Sequence, residues 1–193
     1  MLSRVKLFFL AFVASVLFST MAAKAADPEN TLIIKLKIGE VKIELLPEVA
    51  PKHVEQIKRL ARDGAYDNVV FHRVIEGFMA QTGDVQYGDK ADGLNLRRAG
   101  TGGSKYPDLP AEFSDIPFDR GIVGMARAQN PNSANSQFFI MLENYYGLNG
   151  QYTVIGRVLE GMPFVGNIKR GASNNYGAVT DPNHMFSLRL AGD

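Results

Sequence analysis

Phe71-His72-Arg73-Val74-Ile75-Glu76-Gly77-Phe78-Met79-Ala80-Gln81-Thr82-Gly83-Asp84 is the stretch on which the reading of this chain turns. Two apolar runs, Val69–Ile75 and Phe78–Thr82, flank a Glu76-Gly77 turn, the pattern of a β-hairpin. Strand alternation puts Phe71, Arg73 and Ile75 on one face and His72 and Val74 on the other; beyond the turn, Met79 and Gln81 share a face. The hairpin therefore carries a guanidinium and an amide inside strand sequence that is otherwise apolar. Gln137, at the head of the apolar run Gln137–Leu142, is a third residue of this kind. Arg73 alone would be explained by a carboxylate partner on a barrel wall. Buried polar groups cost free energy unless paired, so Arg73, Gln81 and Gln137 together point to a built site. Phe78, Met79, Phe138, Phe139 and Leu148 are available to line it, and such a cleft suits a mostly apolar substrate carrying an amide.

Outward from the hairpin, Leu32–Ile38 and Glu40–Leu46 alternate as two strands joined at Gly39, and Pro47 stops the second. Pro51 fits the first turn of a helix that runs to Arg62, with Val54, Ile57, Leu60 and Ala61 as its buried stripe and Asp63-Gly64 as its end. Gly83–Phe118 is rich in Gly, Asp and Pro and reads as turns, with a strand fragment near Ala111–Phe113. Gly121–Ala126, Gln137–Leu142, Tyr152–Leu159 and Met185–Leu190 are strand-like, and Gln129–Asn135 between the first two is dense in turn formers. Pro163 opens a second short helix, stopped at Gly171. About eight short strands joined by turns, with two helices, predict a mainly β fold: a closed eight-stranded antiparallel barrel, since closure removes exposed edges, capped at its ends by the two helices.

The first 25 residues read as a signal peptide: Arg4 and Lys6, the apolar run Leu7–Ala22, then Ala23-Lys24-Ala25 as a small-x-small cleavage site. The competing reading is a retained membrane anchor, for which the apolar run is short. Removing 1–25 takes away three bases and no acid, leaving 18 basic and 20 acidic residues and one domain, 26–193. That length suits a single core burying about 70% of its unfolded surface. The charge gives no reason to expect nucleic acid or an anionic membrane as a partner. The chain has no cysteine, which excludes disulfides and thiol catalysis and is compatible with a periplasm.

Other chemistries find little support. His53, His72 and His184 lack metal-ligand spacing and read as structural or surface residues; no metal site is expected. Ser136 lies in no nucleophile elbow. Gly100–Lys105 lacks the phosphate-loop spacing and reads as a plain flexible turn, and Glu112, Asp115 and Asp119 as solvated carboxylates.

The Phe71–Asp84 block, then Ser136-Gln137-Phe138-Phe139-Ile140, then Leu148-Asn149-Gly150-Gln151-Tyr152, in that order, resemble the cyclophilin-type peptidyl-prolyl cis-trans isomerases, and the likeness spans nearly all of 26–193, including Gly100–Gly103 and Glu160-Gly161-Met162. The resemblance implies the same barrel with two helices and an enzyme that rotates X-Pro bonds without a cofactor. It implies Arg73 as the catalytic arginine and Gln81 as the amide that contacts substrate backbone. Phe78, Met79, Phe139 and Leu148 match the proline pocket, with Tyr152 as an aromatic wall; Ala126, Arg127, Ala128 and Gln137 match the groove for residues before the proline. Proline-containing peptides and partly folded exported proteins would be the partners, the periplasm the compartment, and nothing calls for more than a monomer. The chain departs from many members at Thr82 (glycine), Arg127 (asparagine), Tyr152 (histidine) and Tyr146-Gly147, where a tryptophan usually precedes the Leu148 position. A non-catalytic proline-binding scaffold is the alternative; Arg73 and Gln81 together argue for the enzyme.

Overall fold

The computed structural model describes residues 26–193, so the signal-peptide expectation lies outside the described residues. Eight strands form one sheet: β1 (Thr31–Leu36), β2 (Gly39–Leu45), β3 (Arg73–Ile75), β4 (Met79–Thr82), β5 (Ile122–Met125), β6 (Phe138–Met141), β7 (Val154–Glu160) and β8 (Ser187–Leu190). Two α-helices, α1 (Pro51–Arg62) and α2 (Met162–Gly166), accompany them. The strand order is β3-β4-β6-β5-β7-β2-β1-β8, every pairing antiparallel.

The ladder does not run all the way round, which corrects the expectation of a fully closed barrel. β3 and β8 are its two ends, and the gap between them is spanned by two isolated antiparallel bridges, Val70–His184 and Arg73–Ala178, from the chain that leads into β8. The Phe71 amide donates to the Asn183 carbonyl (2.9 Å), Val74 to Gly177 (2.8 Å), Val179 to His72 (3.0 Å) and Met185 to Val69 (2.9 Å). That chain contains Gly171, Gly177 and Pro182, residues that weaken or cannot donate to a regular ladder. The result is a curled half-barrel with an irregular seam.

The strand ladder of β3 begins at Arg73, two residues later than alternation from Phe71 requires. Phe71, 1% exposed, turns into the main core with Val74, and so does not share a face with Arg73 and Ile75. No strand forms at 111–113; the loop makes instead a single bridge between Leu109 and Ala134. The second helix ends at Gly166, short of Gly171, whose amide bonds to the Val74 carbonyl in the seam.

Period-two sorting places two cores on opposite faces of the same strands. Ala80, Val123, Met125, Phe138 and Ile140 join the barrel interior, where α1 sends Val54, Ile57, Leu60 and Ala61 and the α2 region sends Val165 and Ile168. Met79, Phe139 and Met141 face the other way and pack with Phe118, Leu148 and Val154. β6 is buried throughout because both of its faces are covered. Phe138 belongs to the interior, edge-on to Tyr66 at 5.7 Å, and is not a pocket residue. Gly124 makes room for the outer layer: a Cβ there would lie 2.5 Å from the Phe139 ring and 2.7 Å from Phe118.

Helix α1 has no capping side chain at Ala50. Glu112 supplies the cap from the long loop: its carboxylate accepts from the amides of Lys52 (3.1 Å) and His53 (3.2 Å) and from His53 Nδ1 (2.7 Å). Glu112 is therefore not the solvated carboxylate its sequence context implies. A carboxylate at a helix N-terminus satisfies orphan amides and opposes the helix dipole. Burial pushes the His53 pKa down although Glu112 works against it. Burial would raise that of Glu112, but the bonds from His53 and Lys52 outweigh it and hold the carboxyl below its usual range. Both directions describe a neutral His53 donating from Nδ1 to an ionised Glu112.

Candidate active site

The hairpin β3–β4 sets the site's central pair. Arg73 and Gln81 are cross-strand partners in the register of that hairpin, and Gln81 faces Phe139 across β4–β6. Arg73 Nη1 donates to Gln81 Oε1 (3.3 Å), Gln81 Nε2 to Gln137 Oε1 (3.0 Å), and Gln137 Nε2 to the Gly102 carbonyl (2.8 Å). Each amide has its oxygen toward the arginine side and its nitrogen toward the loop, an orientation the chain of donors dictates. Arg73 Nε donates to the Tyr176 carbonyl (3.0 Å) in the seam. Burial shifts the Arg73 pKa downward, with Tyr152 acting in the opposite sense, and a guanidinium remains charged throughout the physiological range. Among the described residues Arg73 is in no ion pair, and its Nη2 has no protein partner.

Beside this guanidinium lies a cavity of about 180 Å³ lined by Arg73, Phe78, Met79, Gln81, Ala126, Arg127, Phe139, Leu148 and Tyr152. Met79, Phe139 and Leu148 are buried, and Tyr152 stands edge-on to Phe139 at 5.8 Å. Phe78 meets Tyr145 edge-on at 4.9 Å, so Tyr145 supports the rim where no tryptophan is present. A second cavity of about 320 Å³ adjoins the first, with Gln81, Ala126 and Arg127 in both linings; Ala128 and Gln137 face only the second, with Gly100, Thr101, Gly102, Ser133 and Asn135. The residues named from the sequence are thus brought together, but as two adjoining cavities in one groove. The first is walled by Phe78, Met79, Phe139 and Leu148 and overlooked by Arg73; the second is lined largely by the loops that carry Gly100–Gly102 and Ala128–Asn135.

Gly100, Thr101, Gly102, Ser133 and Asn135 were not among the site residues inferred from the sequence. The 100–102 segment is not a flexible turn. Asp84, fully buried, accepts the amides of Gln86 (3.1 Å) and Tyr87 (2.9 Å) on one oxygen and of Gly100 (2.7 Å) and Gly102 (2.9 Å) on the other. Four backbone donors compensate a buried charge that would otherwise be costly. A Cβ at Gly102 would collide with the Asp84 carboxylate, so only glycine allows this approach. The available signal was the Gly-Thr-Gly-Gly run itself, whose partner lies 16 to 18 residues upstream.

His72, 6% exposed, packs its ring behind this loop against Gly100, and neither ring nitrogen has a hydrogen-bond partner. Burial, with a smaller push from Arg73, lowers its pKa to about 4 despite the opposing pull of Asp84. It is a structural residue, as the sequence led us to expect. Thr82 is buried and donates to the Val70 carbonyl at 3.0 Å, so it stabilises the hairpin base without entering the groove.

Residues 31–189 match the family model described as cyclophilin type peptidyl-prolyl cis-trans isomerase/CLD. The chain is 59% identical over 183 residues to a probable peptidyl-prolyl cis-trans isomerase of Brucella suis biovar 1, covering 95% of this chain and 93% of that one. It is 41% identical over 144 residues to the peptidyl-prolyl cis-trans isomerase cyp15 of Rhizopus delemar, covering 72% of this chain and 21% of that one. Among solved structures it is similar to cyclophilin AquaCyp293 from Hirschia baltica, with a TM-score of 0.72 at 27% identity over 87% of this chain and 76% of that one. It is also similar to a Cryptosporidium parvum cyclophilin type peptidyl-prolyl cis-trans isomerase determined in the presence of the dipeptide Ala-Pro. That likeness has a TM-score of 0.69 at 27% identity and covers 83% of this chain and 98% of that one.

Proposed function

The chain belongs to the cyclophilin-type peptidyl-prolyl cis-trans isomerases, and from that premise we propose that Arg73 is the catalytic residue and the cavity beside it the seat of the substrate proline. The activity, rotation about X-Pro peptide bonds, goes with the family. The residue roles are our reading, and the observation that carries it is a guanidinium without an ion pair, hydrogen-bonded to Gln81 and overlooking a cavity walled by Phe78, Met79, Phe139 and Leu148.

A peptide bond resists rotation by about 18–20 kcal/mol because resonance spreads the nitrogen lone pair into the carbonyl. Cis and trans X-Pro lie close in energy, yet exchange in tens of seconds or longer. At the twisted midpoint conjugation is lost and the prolyl nitrogen regains its lone pair. A donor aimed at that nitrogen binds the twisted form more tightly than either planar form, which is what lowers the barrier. In our reading Arg73 is that donor. Gln81 holds it in place through Oε1 and the seam carbonyl of Tyr176 fixes Nε, leaving Nη2 to the substrate. Phe78, Met79, Phe139 and Leu148 grip the pyrrolidine ring, with Tyr152 closing one side, while the preceding carbonyl turns. The residues before the proline run toward Ala126, Arg127, Ala128, Gln137 and Gly102. That the Cryptosporidium parvum structure was determined in the presence of Ala-Pro supports a proline-containing ligand here. No bond is made or broken, so the residues present suffice without a nucleophile.

We further propose that the enzyme acts, as a monomer, on exported proteins during their folding in the periplasm, residues 1–25 being removed on export. The apolar run and small-x-small site support this, and prolyl isomerisation is slow enough to limit folding. N-terminal sequencing of the exported protein should begin at Ala26; recovery of an intact Met1 end would favour an anchor. The catalytic assignment is tested by NMR exchange on an Ala-Pro peptide with the Arg73→Ala variant. Turnover near that of the unsubstituted enzyme would remove Arg73 from the mechanism.

A further inference from the structure

The groove contains a second guanidinium that no carboxylate neutralises. Arg127, just past β5, lines both cavities at their junction. Its Nε and Nη2 donate to the Gln151 carbonyl (3.3 and 3.0 Å), and its Nη1 to the carbonyls of Ala128 (2.9 Å) and Gln129 (3.2 Å). Its Cζ lies 4.5 Å from the centroid of the Tyr152 ring. Four carbonyl bonds and a ring face hold the side chain still, but neutral carbonyls leave its formal charge intact. One Nη2 hydrogen has no partner among the described residues. Arg127 is in no ion pair among them, and no Asp or Glu lines either cavity. With Arg73, this gives the linings of the groove two cations and no acid, on a domain whose residues 26–193 carry more acids than bases.

We propose that Arg127 is a specificity-determining residue that directs the enzyme to X-Pro sites preceded by Asp or Glu within the two or three residues before the proline. The proposal rests on the isomerase reading above, in which substrate leaves the ring cavity across the Gln81, Ala126 and Arg127 boundary. An acidic side chain there meets a cation already fixed in place, so little ordering opposes the contact. A basic side chain meets two positive groups. The carbonyl bonds also tie Arg127 to the Gln151 loop, and a purely structural role would affect all peptides alike. Substrate charge separates the two.

The test uses the full exported domain and acetylated, amidated peptides Ala-Xaa-Ala-Pro-Phe and Ala-Ala-Xaa-Pro-Phe with Xaa as Glu, Gln or Lys, read as kcat/KM by NMR exchange. Glu should exceed Gln roughly three- to fivefold in at least one series at low salt, with Lys lowest, and added salt should compress the spread. In Arg127→Gln the Glu-to-Gln ratio should fall close to one, leaving only the weaker influence of Arg73, while Arg127→Lys should keep much of it. The ratio is insensitive to any uniform loss of activity. Equal turnover of Glu and Gln peptides by the unsubstituted enzyme, or a ratio that survives in Arg127→Gln, would overturn the proposal. Absence of acceleration on every peptide, neutral ones included, would overturn the isomerase reading and this proposal with it.

Discussion

The two halves of the groove are held by different physics. The half assigned to proline is strand-built: Arg73, Met79, Gln81 and Phe139 project from paired strands, and the period of two fixes which way each points. The other half is loop-built, and its shape comes from polar clamps. Asp84 holds Gly100 and Gly102, Asn135 holds Ser104 (2.7 Å) and the Tyr106 carbonyl (2.9 Å), and Ser133 holds the Ala128 amide (3.0 Å). In the proposed assignment, chemistry sits on the rigid ladder and recognition of flanking residues on loops fastened at a few points. Damage to the first half should show in rate, damage to the second in stability.

Asp84→Ala should give the largest loss of stability. It strands four backbone amides, two of them beneath the groove wall. At about 1.5–3 kcal/mol for a hydrogen bond to a charged group, and with partial rescue by water, the expected loss is about 4 kcal/mol in urea unfolding. A loss under about 1 kcal/mol would mean that the loop wall stands without its clamp, and the contrast between the halves would fail.

Arg73→Ala should show the opposite signature. Removing one preorganised donor aimed at developing charge costs about 10²–10³-fold in rate, while a half-exposed arginine without an ion pair adds little to stability. The expected result is kcat/KM lowered by that factor with a melting temperature nearly unchanged. A variant that unfolds but remains active when folded would reverse the roles of the two halves.

His72 sits where the halves meet, leading into β3 and packed against Gly100. Its pKa in the folded protein is about 4, against 6.5 when unperturbed. Between those values the unfolded chain binds a proton that the folded one does not, so stability falls as pH drops from 6.5 toward 4 and levels off below. The size is about 3 kcal/mol over that window. His53 and His184 are also shifted downward and act in the same sense. The informative measurement is therefore the slope of unfolding free energy with pH in His72→Gln against the unsubstituted protein. An unaltered slope would locate the titration elsewhere.

What the sequence made legible follows the same division. Local pattern suffices for α1, whose proline start and apolar spacing give Pro51–Arg62, and for the existence of the β3–β4 hairpin, though its connection takes in Phe78 as well as Glu76-Gly77 and so sets Arg73 opposite Gln81. It fails at Phe71 and Phe138, which alternation or proximity assigned to the site's side and which belong to the core. It fails because a two-sided strand such as β6 is apolar on both faces, so period alone cannot say which face holds the cleft. The clamps were illegible for another reason: Asp84 reaches Gly102 across 18 residues and Glu112 reaches His53 across 59. A carboxylate in a polar loop looks solvated until the fold brings amides to it.

Glu112 offers the finest test of that last point. If the long loop is fastened through its carboxylates, Glu112→Gln should be milder than Glu112→Ala, since an amide oxygen can still accept from Lys52 and His53 but carries no charge for the helix dipole or for His53 Nδ1. The expected losses are about 1–2 kcal/mol for alanine and about half of that for glutamine, read from urea unfolding. The pH dependence adds a check. The Glu112 pKa is lowered by folding, so its contribution is present above the ordinary carboxylate range and fades as pH falls through its folded value. Both variants should therefore differ most from the unsubstituted protein near neutral pH and converge with it in acid. Equal losses for alanine and glutamine, independent of pH, would show that packing rather than charge holds the loop to α1.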